Sequence, residues 1–142
     1  MTHDSRGFTG VQLMLALAVI ACLMLAPVLM ARHIQDSRIG ASRARVDALA
    51  GQLRGVTMPR GAVLAGPGNP PAETRDHRWL AGTTTPLRVA GTEADAWGNQ
   101  LLVNAGASSA IWVLSAGPNG VIDTPFDGAS QPAGDDIAAR IR

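Results

Sequence analysis

Nineteen consecutive residues without a charge, Leu13–Ala31 (LMLALAVIACLMLAPVLMA), constrain this chain more than any other feature. The uncharged run reaches back to Phe8, and only Thr9, Gly10 and Gln12 interrupt its apolar character. At ~1.5 Å per residue, such a helix crosses a hydrocarbon core of roughly 30 Å. A helix in the core of a water-soluble protein usually keeps polar residues on at least one face, and Leu13–Ala31 has no such face. The run therefore reads as a membrane-inserted helix, and Pro27 within it removes one backbone hydrogen bond and predicts a kink. Orientation is less direct. Between Arg32 and Arg60 six Arg stand against Asp36 and Asp47, a net of +4. The positive-inside rule taken alone would put that side in the cytoplasm.

Beyond the apolar run the pattern stays helical. Ile39, Val46, Leu49, Leu53 and Val56 recur at heptad-type spacing, which predicts an apolar seam buried against the rest of the fold. A single helix of about 45 residues follows, with Pro59 as its stop. Gly40, Gly51 and Gly55 weaken it, each by about 1 kcal/mol relative to Ala. Residues 57–85 are rich in Pro and Gly and read as a long irregular connection. Strand signals come later, at Pro86–Val89, Gln100–Asn104 and Ala110–Ser115, with the hairpin-sized loop AGASS between the last two. From Gly117 to Asp136 turn formers dominate. No internal repeat is visible. These elements define an α+β class: a long N-terminal helix packed on a small antiparallel sheet.

Composition narrows the function classes. A chain of 142 residues has room for one ordinary domain. All twelve basic residues are Arg, and against eleven acids they leave a net charge of +1, which gives no support to nucleic-acid binding. The single cysteine, Cys22, excludes an intrachain disulfide scaffold and any site needing several thiolates. Asp76-His77 places an acid beside a His, but no Ser or Cys nucleophile can be set near it, so it reads as a solvated loop pair. His33 reads as solvated at the membrane surface, and Cys22 as a small apolar filler. Trp97 is expected to pack at the start of the sheet and Trp112 to lie in the core. Nothing in the chain points to catalysis.

Four segments carry a family resemblance. Arg6-Gly7-Phe8-Thr9, directly before the apolar run, resembles the prepilin leader of type IV pilins and type II secretion pseudopilins. An ordinary signal peptide has its cleavage site after the apolar stretch, whereas this one precedes it, so the helix would be retained. Asp95-Ala96-Trp97-Gly98-Asn99 is similar to the D-P-W-G-N segment of the major pseudopilin. Ser115–Gly120 is similar to its S-L-G-x-D-G, and Gly134-Asp135-Asp136-Ile137 to its closing D-D-I. Residues 57–94 show no such likeness. The absence of a C-terminal cysteine pair agrees with the major pseudopilins rather than with ordinary type IV pilins.

The resemblance implies a leader of residues 1–7 cut after Gly7 by a prepilin peptidase, with methylation of Phe8. It also implies a transmembrane half-helix at 8–31, an amphipathic half at 32–56 and an extracytoplasmic sheet domain at 57–142. Gln12 stands where the family usually has Glu, which pairs with the N-terminal amine of a neighbouring subunit. The family's last loop binds calcium. Carried over residue by residue, that site falls on the Ala116 carbonyl, Asn119, Asp135 and Asp136. Asp123 is added because calcium prefers six to eight hard oxygens. Asn119 replaces the family's Asp, and the loop before Asp135 is longer than usual. The implied protein is a structural subunit of a secretion pseudopilus, not an enzyme. It would sit in the bacterial inner membrane as a single-pass protein, with its C-terminal domain in the periplasm. Its partners would be other pseudopilin subunits, the prepilin peptidase and the inner-membrane secretion platform. The alternatives are a minor type IV pilin acting in adhesion, DNA uptake or motility, and a single-pass anchored binding module that never polymerises.

Overall fold

A computed structural model describes residues 9–56, 61–79, 87–105, 112–126 and 131–141. One helix, α1, runs Gly10–Leu53 with Pro27 inside it. Among the described residues six strands follow: β1 Gly61–Ala65, β2 Glu73–Thr74, β3 Leu101–Ala105, β4 Trp112–Ser115, β5 Val121–Ile122 and β6 Ile137–Arg140. A single 3-10 turn, His77–Trp79, lies between β2 and β3. The chain divides into two compact units, Met1–Asp36 and Ser37–Arg142.

In the first unit α1 is apolar and solvent-facing. Leu13, Leu17, Val19, Leu23, Leu25 and Leu29 are all exposed. The helix is long and apolar enough to cross a membrane, and its most apolar stretch buries none of its residues within the protein. Helices are amphipathic when one face meets a core, and this stretch presents apolar residues on every face.

In the second unit α1 becomes one-sided. Ser42, Val46, Leu49, Ala50 and Leu53 are buried, with Leu49 only 2% exposed. The predicted seam holds at Val46, Leu49 and Leu53, but Ile39 and Val56 are exposed, and a polar residue, Ser42, takes the buried position one turn before Val46. Pro59, expected to stop the helix, lies outside the described residues. The helix stops at Leu53, where Gly55 takes a φ of 88° that a side chain would resist.

The main sheet has the order β1-β3-β4-β6, antiparallel throughout. Its register aligns Val63, Val103, Val113 and Ala139 across the strands. Period-two alternation sends this row, with Ala65, Leu101 and Ile137, to the face that packs on Val46, Leu49, Ala50 and Leu53. The intervening residues Ala62, Leu102 and Leu114 face the other way, onto Trp79, Ala116 and Ile122. The sheet is thus covered on both sides, by the helix and by a loop layer anchored on Trp79.

Two strands match the sequence pattern within a residue or two, β3 for Gln100–Asn104 and β4 for Ala110–Ser115, and they pair antiparallel as a hairpin should. The expected strand at Pro86–Val89 is only an isolated bridge of Leu87 to Ala65. The stretch read as irregular, 57–85, contains β1, β2 and the 3-10 turn, the turn-rich stretch Gly117–Asp136 contains β5, and β6 follows it.

Candidate functional site

Two loops built on buried aspartates flank the sheet. The first is the turn Asp95–Asn99. The Asp95 side chain is almost fully buried and accepts hydrogen bonds from the amides of Trp97 (2.9 Å) and Asn99 (2.8 Å), from Asn99 Nδ2 (3.3 Å) and from the Ser115 hydroxyl (2.8 Å). A short polar side chain that bonds the backbone two residues on is the usual maker of such a turn. The turn is then tied to α1: the Ala96 amide donates to Ser42 Oγ (2.9 Å), and Arg45 donates to the Ala94 carbonyl (2.7 Å) while pairing with Glu93 (3.2 Å). The D-x-W-G-N segment therefore joins helix, turn and β4. Trp97 packs at the edge of the helix-side core, as expected. Trp112 is half-buried on the opposite face, with the Arg140 guanidinium 5.9 Å from its ring.

The second loop brings together four of the five residues named as metal ligands. Asp136 Oδ2 accepts from the amides of Asp123 (2.9 Å) and Thr124 (2.7 Å) and from the Thr124 hydroxyl (2.6 Å), whose oxygen accepts in turn from the Ala133 amide (3.0 Å). Asp135 Oδ2 accepts from the Asn119 amide (3.1 Å). Asn119 Oδ1 is engaged by the Val121 amide (2.6 Å), and its Nδ2 lies 3.4 Å from Asp123 Oδ2. Ala116, the fifth, is fully buried beneath the loop. The backbone is fitted just as closely. Gly117 and Gly134 both have a φ above +60°, and a Cβ on Gly134 would run into the Asp123 carboxylate. Asp136 is pushed up to about 6, chiefly by burial, although its hydrogen bonds from Thr124 pull the other way.

The loop offers hard oxygen atoms, the kind of donor that calcium takes. Among the described residues the Oδ1 atoms of Asp135 and Asp136 are shielded from solvent and receive no hydrogen bond, although a buried carboxylate oxygen normally has a donor. Yet among the described residues no three His, Cys, Asp or Glu side chains are gathered as a set able to hold a metal ion. Arg75, a residue the sequence did not single out, also reaches this loop. Its guanidinium lies 2.5 Å from Asp123 Oδ1.

The remaining residues are settled more simply. Asp76 pairs with Arg78 (2.6 Å), not with the exposed His77, and also accepts from the Phe126 amide (3.0 Å). The Arg78 guanidinium, foremost, and that amide hold its carboxyl well below the usual carboxylate range. Gly7 and Phe8 lie outside the described residues. Gln12 accepts a hydrogen bond from the Thr9 amide through its side-chain oxygen (3.1 Å). Thr9-Gly10-Val11-Gln12 is thus a T-x-x-Q start, in which the third helical residue reaches back to the cap. The spacing was there to be read in the sequence.

The fold and these loops define an α+β protein with one N-terminal helix of membrane-spanning length and a sheet covered on both faces. No family model matches the chain, and no curated protein or solved structure matches it.

Proposed function

We propose that this chain is a structural subunit of the pilin-like class, closest to the major pseudopilin of type II secretion. Its apolar half-helix would lie in the inner membrane and pack against those of other subunits, with the sheet unit on the periplasmic side. The observation that carries the reading is the change of character along α1: apolar and exposed all round before Asp36, one-sided and core-forming after it. A plain membrane anchor has no need to be continuous with the core helix of its domain, whereas a subunit that stacks helices does. The order of the leader-like RGFT, the D-x-W-G-N turn and the closing Asp135-Asp136 adds to it.

Calcium belongs to this reading. Asp135, Asp136 and, once freed from Arg75, Asp123 would supply carboxylate oxygens, with loop carbonyls completing the shell. A bound cation would neutralise the crowded carboxylates and fix the loop; no reaction is assigned to it. Gln12 favours a second reading within the class. Its oxygen serves the cap of its own helix and carries no charge for a neighbour's amine, which suits a minor subunit better than a bulk filament former.

Assembly is the test. The chain would be overproduced in bacterial cells with a working secretion system, and sheared surface fractions and membranes would be cross-linked. Ladders of the chain with itself or with other pseudopilins support the proposal. A chain that stays monomeric in the membrane, with its partners assembled normally, overturns it in favour of the non-polymerising anchor.

A further inference from the structure

The carboxylate loop has its own positive charge in place, and the fold puts it there. Strands β2 and β5 pair in parallel over only two residues, Glu73 with Val121 and Thr74 with Ile122. The Arg75 amide continues the ladder by donating to the Ile122 carbonyl (2.9 Å). The register therefore sets Arg75 beside Asp123. The carboxylate of Asp123 is about nine-tenths buried, while the Arg75 side chain is 76% exposed, so a mobile, well-solvated cation reaches in to a fixed, poorly solvated anion. In the same loop the Oδ1 atoms of Asp135 and Asp136 are also shielded, and among the described residues neither has a donor. Uncompensated buried charge is costly, and Arg75 is a cation paired with this loop.

We propose that Arg75 is the resident cation of this loop: it neutralises the Asp123 carboxylate in the metal-free chain and competes with a divalent cation for it. The competition rests on the calcium reading above; the resident role does not. Two occupants that need the same oxygen oppose each other reciprocally, so calcium binding should release Arg75, and removing Arg75 should tighten calcium. The device makes the loop foldable before calcium is met and tunes the concentration at which calcium takes over.

The full-length chain in detergent micelles would be compared with Arg75→Gln, which keeps the length and polarity, and Arg75→Lys, which keeps the charge. Each would be melted in chelator and in graded calcium chloride, and calcium affinity measured by titration calorimetry. In chelator, Arg75→Gln should melt several degrees below wild type, and Arg75→Lys close to it. Calcium should bind Arg75→Gln about tenfold more tightly than wild type, within the usual range of site-to-site coupling. If Arg75→Gln melts as wild type does in chelator, and binds calcium with unchanged affinity, the proposal is overturned while the calcium reading stands. If calcium binds none of the three but Arg75→Gln is destabilised in chelator and rescued by Lys, the calcium reading fails and Arg75 remains as the loop's cation. An Arg75→Lys chain as unstable as Arg75→Gln would also overturn the proposal, since the positive charge would then not be what matters.

Discussion

Replacing Asp95 by Ala removes the acceptor of four hydrogen bonds at once. Three of them are short, from the amides of Trp97 and Asn99 and from the Ser115 hydroxyl at 2.8–2.9 Å, and the fourth, from Asn99 Nδ2, is weaker at 3.3 Å. A hydrogen bond to a charged group contributes about 1.5–3 kcal/mol, and a buried donor left without an acceptor costs about 1–3 kcal/mol. These terms share one carboxylate and do not add, and water entering the vacated turn recovers part of the loss. The working figure for Asp95→Ala is therefore about 3–5 kcal/mol, a large part of the ~5–15 kcal/mol that holds a typical domain folded. Asp95→Asn keeps one oxygen for the two amides and sets an amide NH2 opposite Ser115, which can turn to accept. That change should cost about 1–2 kcal/mol. All three tryptophans lie in the sheet-bearing unit, so their fluorescence follows its unfolding in urea with the full chain held in detergent. A midpoint for Asp95→Ala within about 1 kcal/mol of wild type would refute the argument, because the turn would then be held by water and chain connectivity alone.

Two further outcomes follow from packing and titration. Leu49→Ala should cost about 2–5 kcal/mol as a core truncation, whereas Ile39→Ala, at a site 38% exposed, should change the urea midpoint little; equal effects would contradict the one-sided helix. In chelator, stability should fall as pH rises through about 6. Asp136 holds its proton in the fold more firmly than at its unfolded value of 3.8, so between those values the folded state binds more protons. Asp76 acts in the opposite sense: its carboxylate is stabilised in the fold, and that contribution is present above 3.8 and lost as pH falls below it. Melting scans from pH 3 to 8 should peak near ~4 and decline towards pH 6, and a curve still rising at pH 7 would show that Asp136 is not proton-loving in the fold.

How much of this was legible in the sequence depends on how local each signal is. The helix and the β3–β4 hairpin could be read because an uncharged run and apolar alternation are carried by neighbours in the chain. β2 and β5 could not, since two residues hold no period; they exist only because the ladder from Glu73 to Ile122 pairs distant segments. β1, a Gly-Ala-Val-Leu-Ala strand, was hidden by the Pro and Gly around it, and β6 by small Ala residues where larger ones would have marked a buried face. Ile39 and Val56 follow the heptad but overshoot the sheet at either end, while Ser42 is buried because the Ala96 amide needs its oxygen. The aspartates of the last loop were named through the family resemblance, and Asp123, Asp135 and Asp136 are linked there through Asn119 and Thr124 without forming a metal-holding set among the described residues. Arg75 was not named, because nothing near it in the chain announces that β2 will deliver it to Asp123.

If the chain is a pilin-like subunit, its apolar helix is kept after processing and begins at Phe8. The intact mass and N-terminal sequence would be read on the protein purified from membranes of cells that express a prepilin peptidase, with Gly7→Val as the comparison. The expected result is loss of residues 1–7, a methylated Phe8 as the first residue, and an uncut Gly7→Val chain. A mature protein that starts beyond residue 25, or a Gly7→Val chain cut as efficiently as wild type, would contradict it.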